Sequence, residues 1–303
     1  MLVGVVEPGP KVLYRENEIG FGGTAEAILD RLAHEVRQGL EAHPQATSVG
    51  VGIPCTIDFE RGFAVSSVHL PIVGVPVREL LQERLEMPVL IDNDANLAAL
   101  AEHRFGAGRG TRDVVMLTIG TGIGGGLVLE DEVYRGTTGA AGELGHTVVD
   151  AEGPPCFGNC PNRGCVEAMV SGTALARDGL VAAQNHPGSA LGRRLDAGEP
   201  IDGRAVTEAA LAGDEAARAV VERAGRYLGV ALTSFANIFE PDVIIVGGGV
   251  MAAGELLLGP AREELRSKAL EPQNATRVEL AELGPDAGMI GAATMAAGAS
   301  VAA

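Results

Sequence analysis

The sequence predicts an α/β protein of two domains. Short apolar runs of strand length alternate with amphipathic helical segments, which is the signature of mixed layers rather than of a bundle or a sandwich. Two of the strands run into glycine clusters. The 303 residues are about twice an ordinary domain.

Val3, Val5 and Val6 begin a strand almost at the first residue. Pro8-Gly9-Pro10 turns the chain, and Val12 and Leu13 resume the strand. Residues 24–42 form a helix, with Ile28, Leu32, Val36 and Leu40 on one face and Pro44 beyond its end. "SVGVGI" (48–53) and "MPVLI" (87–91) are strands, and "NLAALAEHRFG" (96–106) is a helix that stops at a glycine. "DVVMLTIGTGIGGGLVLEDEVYR" reads as strand, glycine turn, strand. Helices follow a cysteine cluster, interrupted by the buried strand "DVIIVGGGV" (242–250), and the small-residue tail is a helix. A weak internal repeat relates "VGVVEPGPKVLYR" (3–15) to "LVLEDEVYR" (127–135). The second copy is preceded by one arm and the tip of a hairpin, and the first is not.

The apolar share is 46 %, and the net charge is −17, from 40 acidic and 23 basic residues. Such a surface repels nucleic acid and anionic membranes, yet it allows a phosphorylated ligand held by backbone N–H groups. There is no basic n-region followed by an apolar core, and no run of the ~20 apolar residues that a membrane helix needs. The expectation is a cytoplasmic protein.

Four segments have the residue types for chemistry. "GTGIGGG" (120–126) lies between two strands, where glycines either close a hairpin or present bare N–H groups to an anion, with hydroxyls from Thr118 and Thr121. "VGGGV" (246–250) follows a buried strand, a natural resting place for a nucleotide and equally a plain tight turn. Asp92, Asn93 and Asp94 stand between a strand and a helix. One of them suffices as a cap, and a carboxylate beside an amide suits a general base with an orienting partner. "GELGHTVV" and "CFGNCPNRGC" bring His146 close in sequence to Cys156, Cys160 and Cys165. One imidazole and three thiolates suit structural zinc, which would also hold the neighbouring Glu143 and Glu167. Cys55 stands apart and reads as a small buried residue.

"IDNDANLAALAEHRFGAG", "LTIGTGIGGGLV", "GAAGELGHTVV", "NCPNRGCVEA" and "IIVGGGV" occur in an order and character that resemble the ROK family of repressors and sugar kinases, along essentially the whole chain. The resemblance is closest to the family's bacterial ATP-dependent glucokinases. It implies an actin-like, ribonuclease-H-like fold with two α/β domains around a cleft. The expected domains are a smaller one of residues 1–110, rejoined by a C-terminal helix 287–303, and a larger one of 111–286 with a zinc loop at 146–165. It implies Asp94 as catalytic base, Asn93, Glu143, His146 and Glu167 as hexose ligands, and ATP, Mg²⁺ and structural Zn²⁺ as cofactors. Gly120, Thr121, Gly122 and Gly124 would serve the phosphates, and Gly247, Gly248 and Gly249 the adenosine. His146 would face zinc through one ring nitrogen and sugar through the other. The expected partners are a hexose and ATP, with no nucleic acid and no membrane, in a homodimer.

The chain departs from the family pattern in three places. Cys156 and Cys160 are spaced C-x3-C where C-x-C is usual, so Cys156 is the ligand most in question. "SVHLP" stands where a P-N-L-P-like turn is common in the family, so the resemblance implies His69 in place of a sugar-binding Asn. Relatives begin with a strand and a D-x-G-G-T loop ahead of the "LVGVVE"-like strand. The expectation is therefore that codons upstream of Met1 encode that strand and loop, and that strand 3–6 has one bare flank. A sugar-responsive repressor or an inactive sugar-binding relative are the rival readings. The first needs a DNA-binding element.

Overall fold

The computed structural model describes residues 1–7, 9–17, 23–67 and 70–302. Residues 1–111, 126–142 and 282–303 form one unit, and residues 112–125 and 143–281 form a second.

The first unit opens with β1 (Leu2–Val6) and β2 (Val12–Asn17), an antiparallel hairpin with Val5 opposite Tyr14. Helix α1 (Ala25–Ala42) starts at Thr24, whose hydroxyl accepts from the Ala27 N–H, one of the donors that a helix start leaves unpaired. Then come β3 (Val49–Ile53), the hairpin β4 (Thr56–Asp58) and β5 (Phe63–Ser66), helix α2 (Val77–Leu85), β6 (Val89–Asn93) and helix α3 (Asp94–Phe105). Strands β3 and β6 are parallel, in register from Val49–Val89 to Ile53–Asn93. Ile28, Leu29, Ile57, Leu81 and Ile91 fill the core beneath them.

The second unit begins with β7 (Val114–Ile119), the glycine turn and β8 (Ile123–Leu129). Strand β8 carries the chain back into the first unit, where its far end pairs with the short β9 (Glu132–Val133). So within the 111–286 that the sequence assigns to one domain, residues 126–142 group with the first unit. After the cysteine loop come α4 (Val166–Val170), α5 (Gly172–Asn185), α6 (Ala190–Asp196), α7 (Gly203–Leu211) and the long α8 (Glu215–Phe239). Strand β10 (Val243–Gly247), helix α9 (Glu255–Lys268) and β11 (Arg277–Leu280) complete the unit. Strand β10 lies between β7 and β11, parallel to both, and is buried along its whole length, as parallel strands covered on both faces are.

Helix α10 (Ala287–Ala302) returns to the first unit. Its small residues are explained by closeness. A Cβ on Gly291 would lie 1.8 Å from the Leu97 carbonyl oxygen of α3, and one on Gly50 of β3 would lie 1.9 Å from that of Ala292. Between β1 and β3 lies a largely apolar cavity of about 870 Å³, lined also by α1 and α10. Strand β1 pairs with β2 and also lines this cavity. Both copies of the internal repeat, 3–15 and 127–135, are β-hairpins. Among the described residues no helix is long and apolar enough to cross a membrane.

Candidate active site and metal centre

In the first unit the candidate base stands where β6 ends and α3 begins. Asn93 is the N-cap of α3, and its Oδ1 accepts from the N–H groups of Ala95 (2.9 Å) and Asn96 (3.2 Å). One Nδ2 hydrogen goes to the Cys55 carbonyl at 3.2 Å. Both acceptor sites of the amide are therefore spent, and a single N–H remains for a ligand. Asp94 follows as the first helical residue and is exposed, with Oδ1 3.0 Å from the Ala95 N–H. Asp92 turns the other way, into the core, and meets Arg135. The three adjacent polar residues thus have three different tasks: a core anchor, a cap and an outward carboxylate. Cys55 is buried, and burial pushes its thiol pKa up, as the bland reading requires. His69 lies outside the described residues.

In the second unit the two glycine clusters lie side by side. Gly247 at the end of β10 pairs with Thr118 near the end of β7, so both turns sit at the C-terminal edge of parallel strands. Gly248 has φ +95°, and a Cβ there would lie 2.4 Å from the Ile119 carbonyl oxygen, so only glycine fits. The Gly120 and Thr121 carbonyls are held by the start of α5. Gly172 N–H donates to the first at 2.8 Å and the Thr173 hydroxyl to the second at 2.8 Å. Gly124 lies within β8, and Gly249 opens a short turn of 3₁₀ helix. This edge is where open parallel sheets receive ligands.

The cysteine loop adjoins the same turn. Glu167, in the first turn of α4, accepts from the Ile123 N–H at 2.8 Å through Oε2, while Oε1 lies 3.9 Å from Cys156 Sγ. His146 Nδ1 is 3.6 Å from Cys156 Sγ, and the Cys160 and Cys165 sulfurs are 3.9 Å apart. One donor atom from each of His146, Cys156, Cys160 and Cys165 lies within 4.8 Å of all the others. A tetrahedron with Zn–S of about 2.3 Å and Zn–N of about 2.0 Å has edges of this size. Cys156 lies within this cluster despite the longer C-x3-C spacing. The other ring nitrogen of His146, Nε2, is 4.0 Å from Glu143 Oε2. Burial and the two neighbouring thiols push Cys156 up to about 12, and burial also raises Cys165. Such crowding disfavours thiolates until a cation enters. The loop is held by Val149 and Asp150 N–H groups donating to the Gly164 carbonyl, and by the Tyr227 hydroxyl of α8 donating to Asp150 at 3.1 Å. Burial and that contact raise the Tyr227 pKa and keep the phenol protonated.

The ROK family model matches residues 6–299 of this chain. The chain belongs to the ROK family. It is 37 % identical over 271 residues to the glucokinase of Halalkalibacterium halodurans, covering 87 % of this chain and 81 % of that one. The crystal structure of a ROK family glucokinase from Streptomyces griseus in complex with glucose and AMPPNP superposes with a TM-score of 0.86 at 34 % identity, over 98 % of this chain and 96 % of that one. A putative xylose repressor of a Caldicellulosiruptor species is 29 % identical over 95 % of this chain and 72 % of its own. The fold is the actin-like ATPase fold of ROK sugar kinases, as the sequence motifs imply.

Asp92, Arg135, Asp150 and Tyr227 went unassigned in the sequence. Arg135 is the last residue of the internal repeat, and Asp92 opens the "DND" run. No periodicity links partners that lie 43 or 77 residues apart.

Proposed function

We propose that this chain is an ATP-dependent hexose 6-phosphotransferase with glucose as its substrate. The hexose 6-hydroxyl oxygen attacks the γ-phosphorus of ATP in line. A new O–P bond forms, the bond from the γ-phosphorus to the bridging oxygen breaks, and ADP leaves. Asp94 accepts the hydroxyl proton. It is the one carboxylate of the "DND" run that points outward, at a helix start whose cap is already supplied by Asn93. Asn93 contributes at most one donated hydrogen bond to the sugar. Glu143, His146 and Glu167 supply hydroxyl ligands. The glycine turns 120–124 and 247–249 take the phosphates and the adenosine, and Mg²⁺, when bound, neutralises phosphate oxygens. Zinc on His146 Nδ1, Cys156, Cys160 and Cys165 is structural.

The observation that carries this reading is full-length likeness to a ROK glucokinase whose structure holds glucose and an ATP analogue, together with the outward Asp94. The repressor relative favours a regulator instead. That reading needs DNA contacts, and a net charge of −17 opposes them. A coupled ADP-release assay over glucose, fructose, mannose and N-acetylated hexoses tests the proposal. Glucose is expected to give the highest kcat/KM. Sugar-independent release, or none with any hexose, would overturn it.

A further inference from the structure

We propose that Arg135 is a positioning residue for the base. Acting through Asp92, it fixes the β6–α3 junction that carries Asp94. The inference rests on the reading of Asp94 given above.

The Asp92 side chain is 1 % exposed. An ionised carboxylate so deep is costly unless each lone pair is met. Four donors meet it. Arg135 gives Nε at 2.8 Å and Nη2 at 2.7 Å to Oδ2. The Asn93 N–H at 2.7 Å and Asn96 Nδ2 at 3.2 Å go to Oδ1. The last two bracket Asp94 in the chain, one on the residue before it and one two residues after. Asp92 therefore holds the backbone N–H on one side of the proposed base and the Asn96 side chain on the other.

Arg135 is itself held. Its Nη1 donates to the Val133 carbonyl at 3.2 Å, and its guanidinium lies 3.8 Å above the Phe59 ring, beside the β4–β5 hairpin. These contacts restrain the fork, and a lysine ammonium could not reproduce its two N–H groups converging on Oδ2 while a third reaches the Val133 carbonyl. A purely stabilising role explains this arrangement poorly. The helix start is already capped by Asn93, β6 and α3 are already buried by Val89, Ile91 and Leu97, and a buried ion pair adds little stability over apolar packing. It is better suited to holding one geometry.

The test is kinetic coupling between Arg135→Met and Asp94→Asn, with folding checked by thermal melting. Arg135→Met is expected to lower kcat about tenfold or more, the scale on which small misplacements act, while glucose KM moves by less than about threefold. Arg135→Lys should recover only part of the loss. In the Asp94→Asn background, Arg135→Met should cost less than about twofold more, since the residue it positions is gone. If Arg135→Met does not fold, Arg135→Lys carries the same comparison. A kcat within about twofold of wild type, or an equal loss in both backgrounds, would overturn the proposal. Near-normal turnover of Asp94→Asn alone would instead overturn the base reading.

Discussion

At the β6–α3 junction a buried carboxylate meets a guanidinium, whereas at the cysteine loop three sulfurs and an imidazole meet one another, with Glu143 and Glu167 at their edge. The first region carries its own counter-charge and its own cap, so its geometry is complete within the protein. The second gathers thiols whose ionisation burial and mutual crowding oppose, Cys156 being pushed up to about 12. A cation among them would remove that cost. The proposed base is thus preset by protein charges, whereas the proposed sugar ligands would be preset by a metal.

Asp94→Asn breaks the first region at its functional end while leaving the ion pair intact. We expect turnover to fall by at least about 10²-fold with glucose binding within a few-fold, measured by coupled assay and calorimetry. In the second region, elemental analysis should find about one zinc per chain. Cys165→Ser should lose it, lower the melting temperature and weaken glucose binding by at least about tenfold, because His146 and Glu167 lose their anchor. Metal retention should fall with falling pH, since protons and zinc compete for the same thiolates.

Glu102 sharpens the contrast further. It is fully buried and accepts from the N–H groups of Ala107 at 3.0 Å, Glu282 at 3.1 Å and Leu283 at 2.7 Å, tying α3 to the segment that leads into α10. Glu102→Ala should cost about 3 kcal/mol of stability in urea unfolding, with zinc content unchanged. The smallest effect belongs to Asp242, whose pKa is lowered by the backbone N–H groups of Asp113 and Arg112. A lowered folded pKa gives stability that is present above the ordinary carboxylate value and lost as pH falls through the folded one. Asp242→Asn should flatten that acid limb slightly, with a small drop in melting temperature at neutral pH and almost none in acid.

Much of this was legible from sequence. The four-residue apolar steps located α1, the apolar runs located β3, β6 and β10, and the sequence singled out His146 and the three cysteines that the fold gathers into one cluster. These signals are local and periodic. What was not legible is non-local: that 126–142 groups with the first unit, that Asp92 needs Arg135, and that Tyr227 on α8 steadies Asp150. Asn93 shows the intermediate case. Its position announced a cap, but only the structure shows that capping uses both acceptor sites of the amide and limits what it can offer a sugar.

The most direct measurement is phosphorus NMR of glucose with ATP and Mg²⁺ on the 303-residue chain. Glucose 6-phosphate and ADP are expected in equal amounts. Free phosphate without sugar phosphate, or no transfer to glucose, would contradict the proposed function.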